Sequence, residues 1–184
     1  MTILEHINRV KTSADLLHNK AEVDAVLDRM ADEINRVLAE RNPLFLCVMN
    51  GGMVIGGELL TRLTMPLTVD AINASRYRNQ TSGDSIEWLL KPKTLLHERT
   101  ILIVDDILDE GLTLAAIADY CRDQGAAAVY SAVLVEKILA QDKPVQADFV
   151  GLQVENRYLF GCGMDYKGYL RNMPGIYAVK DNLL

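Results

Sequence analysis

One stretch of the chain, residues 101–114, constrains the fold more than any other. Four apolar residues at 101–104, three of them β-branched, lead directly into two adjacent carboxylates, Asp105 and Asp106. Such a run is typical of a buried strand, and the pattern after Gly111 is typical of a helix start. A strand that ends in acids and turns through glycine into a helix indicates a site for a phosphorylated ligand. The acids suit hydroxyl groups or a metal, and the amides of the turn suit phosphate.

The pattern around this stretch predicts alternating strands and helices. We predict helices at about 20–40, from the turn at 50–52 through Leu63, and at about 112–124, and strands at 44–49, 67–74, 101–105 and 128–135. This order predicts an α/β fold with a largely parallel sheet and helices on its faces. Short apolar runs follow at 147–154, 157–160 and 175–179. No helical pattern separates them, so we expect an irregular subregion there.

Composition restricts the class of protein. A length of 184 residues fits a single domain, and 49% hydrophobic residues suffice for a core. The net charge of −6 argues against a broad surface for nucleic acid or anionic membrane, although a local anion pocket remains compatible. Three widely spaced cysteines indicate reduced thiols. With neither a signal peptide nor an apolar run long enough to span a membrane, we expect a cytoplasmic protein.

Two further segments attract attention. Residues 75–92 are largely polar and follow neither helical nor strand periodicity. Long loops of this kind in compact domains are often lids or binding loops, and a plain surface hairpin is the alternative. The turn Asn50-Gly51-Gly52 allows close approach of backbone to phosphate, although alone it favours an ordinary turn. In α/β sheets, ligands bind at the carboxyl ends of strands, where this turn and the acidic stretch should meet.

The acidic stretch resembles a known motif. Residues 104–113 look like the phosphoribosyl pyrophosphate (PRPP) motif of type I phosphoribosyltransferases, with the closest match to the hypoxanthine–guanine phosphoribosyltransferases. Residues 48–52 resemble the pyrophosphate loop of that family, and Arg76-Tyr77 with the polar run after it resembles the mobile loop. The segments 135–137, 148–151 and 161–171 resemble the purine-binding tail. The resemblance covers about 44–179 in the right order.

The resemblance implies the type I phosphoribosyltransferase fold, with a largely parallel twisted sheet flanked by helices and a small hood from the chain ends. It implies one domain over 1–184, with a core at about 20–140, a lid at about 75–92 and a purine-binding hood at about 141–184. It also implies the reaction, in which the phosphoribosyl group of PRPP is transferred to N9 of hypoxanthine or guanine. The products are IMP or GMP and pyrophosphate.

The resemblance further assigns roles to PRPP-binding residues. Asp105 and Asp106 would hold the ribose hydroxyls with help from Mg²⁺, and Asp109 would act as general base near purine N7. The turn before the helix would cradle the 5′-phosphate. The implied PRPP-binding residues are Asp105, Asp106, Asp109, Glu110, Gly111, Leu112 and Thr113. The implied metal ligands are Asp105, Asp106 and Asp165.

The remaining implied residues bind pyrophosphate and purine. The pyrophosphate set is Asn50, Gly51, Arg76, Tyr77 and Arg171, with a cis peptide between Met49 and Asn50. Lys137 would donate to the 6-oxo group and Tyr158 would stack on the ring, while backbone at Leu159 and Asp165 would read its edge. Without the resemblance, Lys137 would be read as a surface lysine. Of Tyr158 and Phe160 we expect one to lie in the core, and we expect Tyr158 to face the site.

Three positions depart from the family pattern. Glu110 stands where Thr or Ser is usual, and Arg76 stands where Ser is usual. Asn50 replaces a basic residue that some members carry. We expect the Glu110 side chain to point outward, and Arg76 to add positive charge over pyrophosphate. The implied partners are PRPP and a 6-oxopurine, without nucleic acid or membrane, and the implied assembly is a homodimer or homotetramer.

Two other functions compete with this interpretation. Some phosphoribosyltransferase-like proteins are regulators that sense PRPP and bind RNA or DNA, but the acidic charge and the retained Asp109 favour an enzyme. Phospho-receiver domains also end a strand on paired acids. They require a phosphoacceptor Asp after another strand, and neither the strand at 44–49 nor the strand at 128–135 supplies one.

Overall fold

A computed structural model describes residues 1–77 and 85–183, except the side chains of Arg76, Tyr77 and Ser85. The helices are α1 (Ile3–Ser13), α2 (Lys20–Leu38), α3 (Gly52–Leu60) and α4 (Leu112–Asp123), followed by a short 3₁₀ helix at Asp181–Leu183. The strands are β1 (Asp15–His18), β2 (Leu44–Val48), β3 (Thr68–Tyr77), β4 (Ser85–Leu90), β5 (Thr100–Leu108), β6 (Ala128–Ile138), β7 (Phe149–Glu155), β8 (Leu159–Phe160) and β9 (Ile176–Ala178). The predicted helices and main-sheet strands occur in the predicted order, and α1, β1 and β4 are additional elements that were not predicted.

The main sheet has six strands in the order β4-β3-β2-β5-β6-β7. Its pairs are parallel, except that β4 runs antiparallel to β3. Strand β5 is covered on both faces, because Leu102 and Val104 pack on the side of α2 and α3 while Ile101 and Ile103 pack on the side of α4. Double coverage explains why this strand reads as a continuous apolar run.

Helix α2 begins at the position that its sequence predicts. The Asn19 side chain accepts a hydrogen bond from the Glu22 amide, and the Glu22 carboxylate accepts one from the Asn19 amide at 2.7 Å. This reciprocal cap satisfies two amides that the first helical turn leaves unpaired. One face of the helix, with Leu27, Met30 and Ile34, is buried against the sheet. Burial of each such side chain contributes roughly 1.5–3 kcal/mol.

A second, smaller sheet is built from both chain ends. It has three antiparallel strands in the order β1-β9-β8. Helix α1 packs on it through Ile7 and Val10, which contact a cluster containing Phe160 and Tyr166. The expected hood from the chain ends is thereby confirmed, although the sequence analysis identified neither α1 nor β1.

The predicted loop at 75–92 requires a correction. Strand β3 continues to Tyr77, and β4 occupies 85–90, so both ends of the segment form an antiparallel hairpin. Strand β4 lies at the edge of the sheet, where pairing with β3 satisfies the backbone groups on one of its sides. Trp88 of β4 packs against Tyr120 of α4 with ring centroids 4.7 Å apart. The central part of the expected lid, 78–84, lies outside the described residues.

Strand β5 is also longer than predicted. It continues through the acidic pair to Leu108, because pairing with β6 extends to Ile107↔Val135 and Leu108↔Glu136. The prediction that this strand ends at residue 105 was wrong. As a result, Asp105 and Asp106 occupy regular strand positions, and only Asp109 and Glu110 belong to the turn before α4.

Candidate active site

A cavity of about 470 Å³ lies at the carboxyl ends of β2, β5 and β6, where ligands bind in parallel α/β sheets. The predicted site residues that line it are Asn50, Gly51, Asp105, Asp106, Asp109, Glu110, Gly111, Leu112, Thr113, Lys137, Tyr158, Leu159, Asp165 and Arg171. Arg76 and Tyr77 end strand β3, and their side chains lie outside the described part of the chain. The cavity therefore brings together residues from four distant segments.

The paired acids form the floor of this cavity. Asp106 is only 6% exposed, and the Asp105 Oδ1 atom accepts a hydrogen bond from the Asp106 amide at 2.9 Å. Burial raises the pKa of Asp105 well above its usual range, and the adjacent Asp106 carboxylate raises it further. Burial also raises the pKa of Asp106. The charged forms of both acids are unfavourable in this environment. Hydroxyl donors or a cation would stabilise these carboxylates, so the pair favours binding of such groups.

Glycines allow the neighbouring loops to approach Asp106. A Cβ atom on Gly51 would lie 2.2 Å from Asp106 Oδ2, and one on Gly163 would lie 2.1 Å from the Gly51 carbonyl oxygen. Gly163 also has a φ of +105°, which disfavours other residues. The Met49–Asn50 peptide is cis, as the resemblance implied. Gly163 lies within the segment 161–171 that resembles the purine-binding tail, but the resemblance assigns it no role.

The turn before α4 presents backbone amides to the cavity. Gly111 is left-handed, with φ +84°, and no side chain caps the helix. The first amides of a helix lack intrahelical acceptors, so those of Leu112 and Thr113 are suited to an anion. Both residues line the cavity. This geometry suits the phosphate cradle that the resemblance implied.

Asp109 and Lys137 meet across the ends of β5 and β6. The Lys137 Nζ atom donates to Asp109 Oδ2 at 2.7 Å. The Lys137 side chain is 11% exposed, whereas that of Asp109 is 47% exposed. Lys137 is therefore a largely buried cation facing the cavity, and the alternative of an ordinary surface lysine is wrong.

The two aromatic residues near β8 separate as expected. Tyr158 is exposed and lines the cavity. Phe160 is fully buried in the small sheet, where it stacks on Tyr177 with ring centroids 5.3 Å apart. The Tyr158 ring also meets Tyr166 edge-on at 5.3 Å, which fixes one side of the cavity wall.

Arg171 links the acidic floor to the hood. Its Nη2 atom lies 2.6 Å from Asp165 Oδ1, and its Nη1 atom donates to the Gly163 carbonyl at 2.6 Å. The same Nη1 lies 3.9 Å from Asp106 Oδ2. Asp165 also accepts a hydrogen bond from the Gly168 amide at 2.7 Å. The Asp165 carboxylate thus pairs with the Arg171 guanidinium and with a backbone amide.

The carboxylates in the cavity suit a metal ion that would be coordinated partly by the protein and partly by a substrate. Within 1–77 and 85–183, no three or more His, Cys, Asp or Glu side chains are grouped to hold a metal ion. Mg²⁺ usually takes one or two carboxylates together with waters and phosphate oxygens. Asp105 and Asp106 at the cavity floor fit that pattern, and Asp165 as a third ligand stays a prediction.

The cysteines are free thiols, as predicted. Burial raises the pKa of Cys47, Cys121 and Cys162 to about 11 each. Such thiols are poorly nucleophilic at neutral pH, so a structural role is favoured. In the described residues, no helix combines the length and apolarity needed to cross a membrane.

Comparison with known proteins agrees with this geometry. Residues 13–167 match the model of the phosphoribosyl transferase domain family. The chain belongs to this family. It is 29% identical to the hypoxanthine-guanine-xanthine phosphoribosyltransferase of Tritrichomonas foetus, over 91% of this chain and 92% of that protein. It is 28% identical to the hypoxanthine-guanine phosphoribosyltransferase of Bacillus subtilis, over 90% of this chain and 92% of that protein.

Solved structures support the same assignment. A structure of a hypoxanthine-guanine-xanthine phosphoribosyltransferase superimposes with a TM-score of 0.82 at 28% identity, covering 91% of this chain and 97% of that chain. This phosphoribosyltransferase is therefore an enzyme with the type I fold, and the interpretation as a phospho-receiver domain is excluded.

Proposed function

We propose that this enzyme serves purine salvage by transferring the phosphoribosyl group of PRPP to N9 of hypoxanthine, guanine or both. The observation that carries the proposal is one cavity that combines a buried acid pair, an uncapped helix N-terminus and the Asp109–Lys137 pair. The first suits a ribose, the second a phosphate and the third a purine with a 6-oxo group. Relatives at 28–29% identity carry the names of enzymes with this activity.

The acid pair and the turn before α4 bind different parts of PRPP. Carboxylates repel phosphates, so Asp105 and Asp106 accept hydrogen bonds from the ribose 2′- and 3′-hydroxyls. The backbone amides of residues 110–113 bind the 5′-phosphate at the start of α4. Bound Mg²⁺ would neutralise the acids and the pyrophosphate group. The motif thus keeps its own anions away from those of the substrate.

Pyrophosphate lies on the side of the cavity opposite the 5′-phosphate. The amides of Asn50 and Gly51 contact it in the loop after β2, and the Arg171 guanidinium supplies positive charge. Following the resemblance, we also assign Arg76 and Tyr77, at the end of β3, to pyrophosphate binding. The segment of about 75–92 is assigned to a lid that would exclude water from the short-lived oxocarbenium-like transition state.

Asp109 and Lys137 act on the purine. Lys137 turns from Asp109 to the 6-oxo oxygen, while Tyr158 stacks on the ring and backbone at Leu159 and Asp165 contacts its edge. The N9 lone pair forms the bond to the anomeric carbon as the bond to pyrophosphate breaks. The proton on N7 passes to the Asp109 carboxylate, which acts as the general base. One proton is therefore transferred for each pyrophosphate released.

The remaining features of the proposal concern the whole molecule. Residues 1–184 act as one domain, in which the core of about 20–140 binds PRPP and the hood of about 141–184 binds purine. We infer a cytoplasmic homodimer or homotetramer. The alternative of a nucleic-acid-binding regulator is disfavoured by the net charge of −6 and by the enzyme names of the relatives.

A substrate panel tests the proposal. The purified chain is incubated with Mg²⁺, PRPP and hypoxanthine, guanine, xanthine or adenine, and nucleotide formation is followed by chromatography. We expect turnover of hypoxanthine or guanine and little turnover of adenine, because Lys137 donates to a 6-oxo group and would face a 6-amino donor. Absence of product with all three 6-oxopurines would refute the function. Salt-sensitive binding of RNA or DNA would favour the regulator instead.

A further inference from the structure

A second largely buried lysine lies directly behind the Asp109–Lys137 pair. The Lys143 side chain is 10% exposed, and its Nζ atom donates to the Lys137 carbonyl oxygen at 2.6 Å. The same atom lies 3.1 Å from Glu136 Oε1 and 3.3 Å from the Leu108 carbonyl oxygen. An ammonium group has three donors, so these three acceptors use its whole capacity.

Two of the three acceptors are backbone carbonyls at or next to the residues that we propose bind the purine. The Leu108 carbonyl belongs to the peptide that continues into Asp109, and the other carbonyl belongs to Lys137 itself. Leu108 and Glu136 are also register partners at the end of the β5–β6 ladder. One ammonium group therefore bridges the backbones that carry both members of the Asp109–Lys137 pair.

The surroundings hold Lys143 in place. Glu136 Oε2 accepts a hydrogen bond from Gln153 Nε2 of β7 at 3.1 Å, which fixes the carboxylate that pairs with Lys143. The loop that carries Lys143 also packs against the turn before α4. A Cβ atom added to Gly111 would lie 3.4 Å from Lys143 Cβ and from Pro144 Cδ. The Lys143 side chain is thus held in place by both the sheet and the turn before α4.

We propose that Lys143 is a positioning residue for purine recognition, which acts by fixing the Lys137 ammonium relative to the Asp109 carboxylate. The proposal rests on the function proposed above and assigns a further residue to it. Lys143 lies behind the strand ends and does not line the cavity, so its effect on the base must pass through its neighbours. Pairing with Glu136 alone would give it only a role in stability.

The main test replaces Lys143 by Met, which keeps the length of the side chain and removes its donors. We expect KM for hypoxanthine or guanine to rise at least tenfold, because Lys137 loses its backbone restraint. KM for PRPP should change less than twofold, since the acid pair and the helix N-terminus are untouched. The matched control is Arg62→Met, which removes a partly buried cation paired with Asp28 and Glu58 outside the cavity. We expect both KM values to be unchanged in this control.

A double-mutant cycle separates positioning from general stability. In a Lys137→Gln background, Lys143→Met should change purine KM less than threefold, because the group that Lys143 positions is already absent. If Lys143→Met fails to fold, Lys143→Arg serves in the same cycle. A larger planar head cannot meet all three acceptors, so purine KM should again rise while KM for PRPP stays constant.

The outcomes distinguish the two proposals. An inactive wild-type chain overturns the proposed function and this inference together. If the wild type is active, three results would overturn the inference alone. The Lys143 variants could keep a normal KM for the purine, raise the KM values for purine and PRPP equally, or show effects that add to those of Lys137→Gln. A selective and non-additive rise in purine KM supports it.

Discussion

Replacing Asp105 by Asn should stabilise the ligand-free protein while abolishing PRPP binding. The Asp105 carboxylate is partly buried next to the buried Asp106, and its pKa is raised well above its usual range by burial and then by the Asp106 charge. Asparagine retains an oxygen for the hydrogen bond from the Asp106 amide but carries no charge. The Asp106 amide and Arg171 compensate the Asp105 charge only in part, and relief of the remaining penalty is worth about 1–3 kcal/mol.

The effect has a defined pH dependence. Below a pH of about 3.9 the carboxyl group is protonated in both the folded and the unfolded chain, so it causes no penalty. As the pH rises toward the raised folded pKa, the unfolded chain releases its proton first, and the free energy of unfolding falls. The penalty is complete above the folded pKa. The penalty grows as the pH rises above the unfolded pKa, so at pH 8 we expect the variant to melt about 2–12 °C above the wild type, given 2–4 °C per kcal/mol for a domain of this size.

Differential scanning fluorimetry between pH 4.5 and 8 measures this difference. The matched control is Asp119→Asn, an exposed acid on α4, which should shift Tm by less than about 1 °C. PRPP with Mg²⁺ at 100 times Kd should stabilise the wild type by about 2.7 kcal/mol and leave Asp105→Asn unchanged. A variant that is less stable than wild type at pH 8, or a Tm difference that does not depend on pH, would refute the argument.

Three further results follow from the same site. Asp109→Asn should lower kcat by about 10²–10⁴, because it removes the proton acceptor. KM for PRPP should change less than threefold, because the PRPP contacts remain. Steady-state kinetics that show an unchanged kcat would contradict the role of Asp109 as general base. Gly51→Ala should abolish activity, because its Cβ would lie 2.2 Å from Asp106 Oδ2, and Gly57→Ala on the open side of α3 is the control with full activity expected. At pH 8 the buried thiols, with pKa values of about 11, should react with iodoacetamide about 100-fold more slowly than in urea; mass spectrometry showing equal rates would exclude their burial.

Much of the fold could be predicted because its main elements carry local signals. The apolar run of β5, the Asn19–Glu22 cap and the left-handed Gly111 are each encoded within a few neighbouring residues. Strand β4 was missed because its short sequence becomes a strand only through pairing with β3. The end of β5 was misplaced for the same reason, since pairing with β6 carries the strand past the acids.

The site shows a similar division between local and tertiary information. Asp105, Asp106 and Asp109 stand together in one motif, and the resemblance supplied the distant Lys137 and Arg171. Lys143 carries no such signal, because its partner Leu108 is 35 residues away and the loop around it resembles any polar connection. The role of Gly163 likewise depends on contact with Gly51, which only the folded chain brings about.

The proposed reaction is tested most directly by ³¹P NMR of the chain with Mg²⁺, PRPP and hypoxanthine. We expect PRPP to be converted to IMP, with the ribose on N9 and one pyrophosphate released per nucleotide. Asp106→Asn should eliminate both products while leaving the protein folded. Stable PRPP in the presence of the wild type, or pyrophosphate release without nucleotide, would contradict the claim that this cavity joins PRPP to a 6-oxopurine.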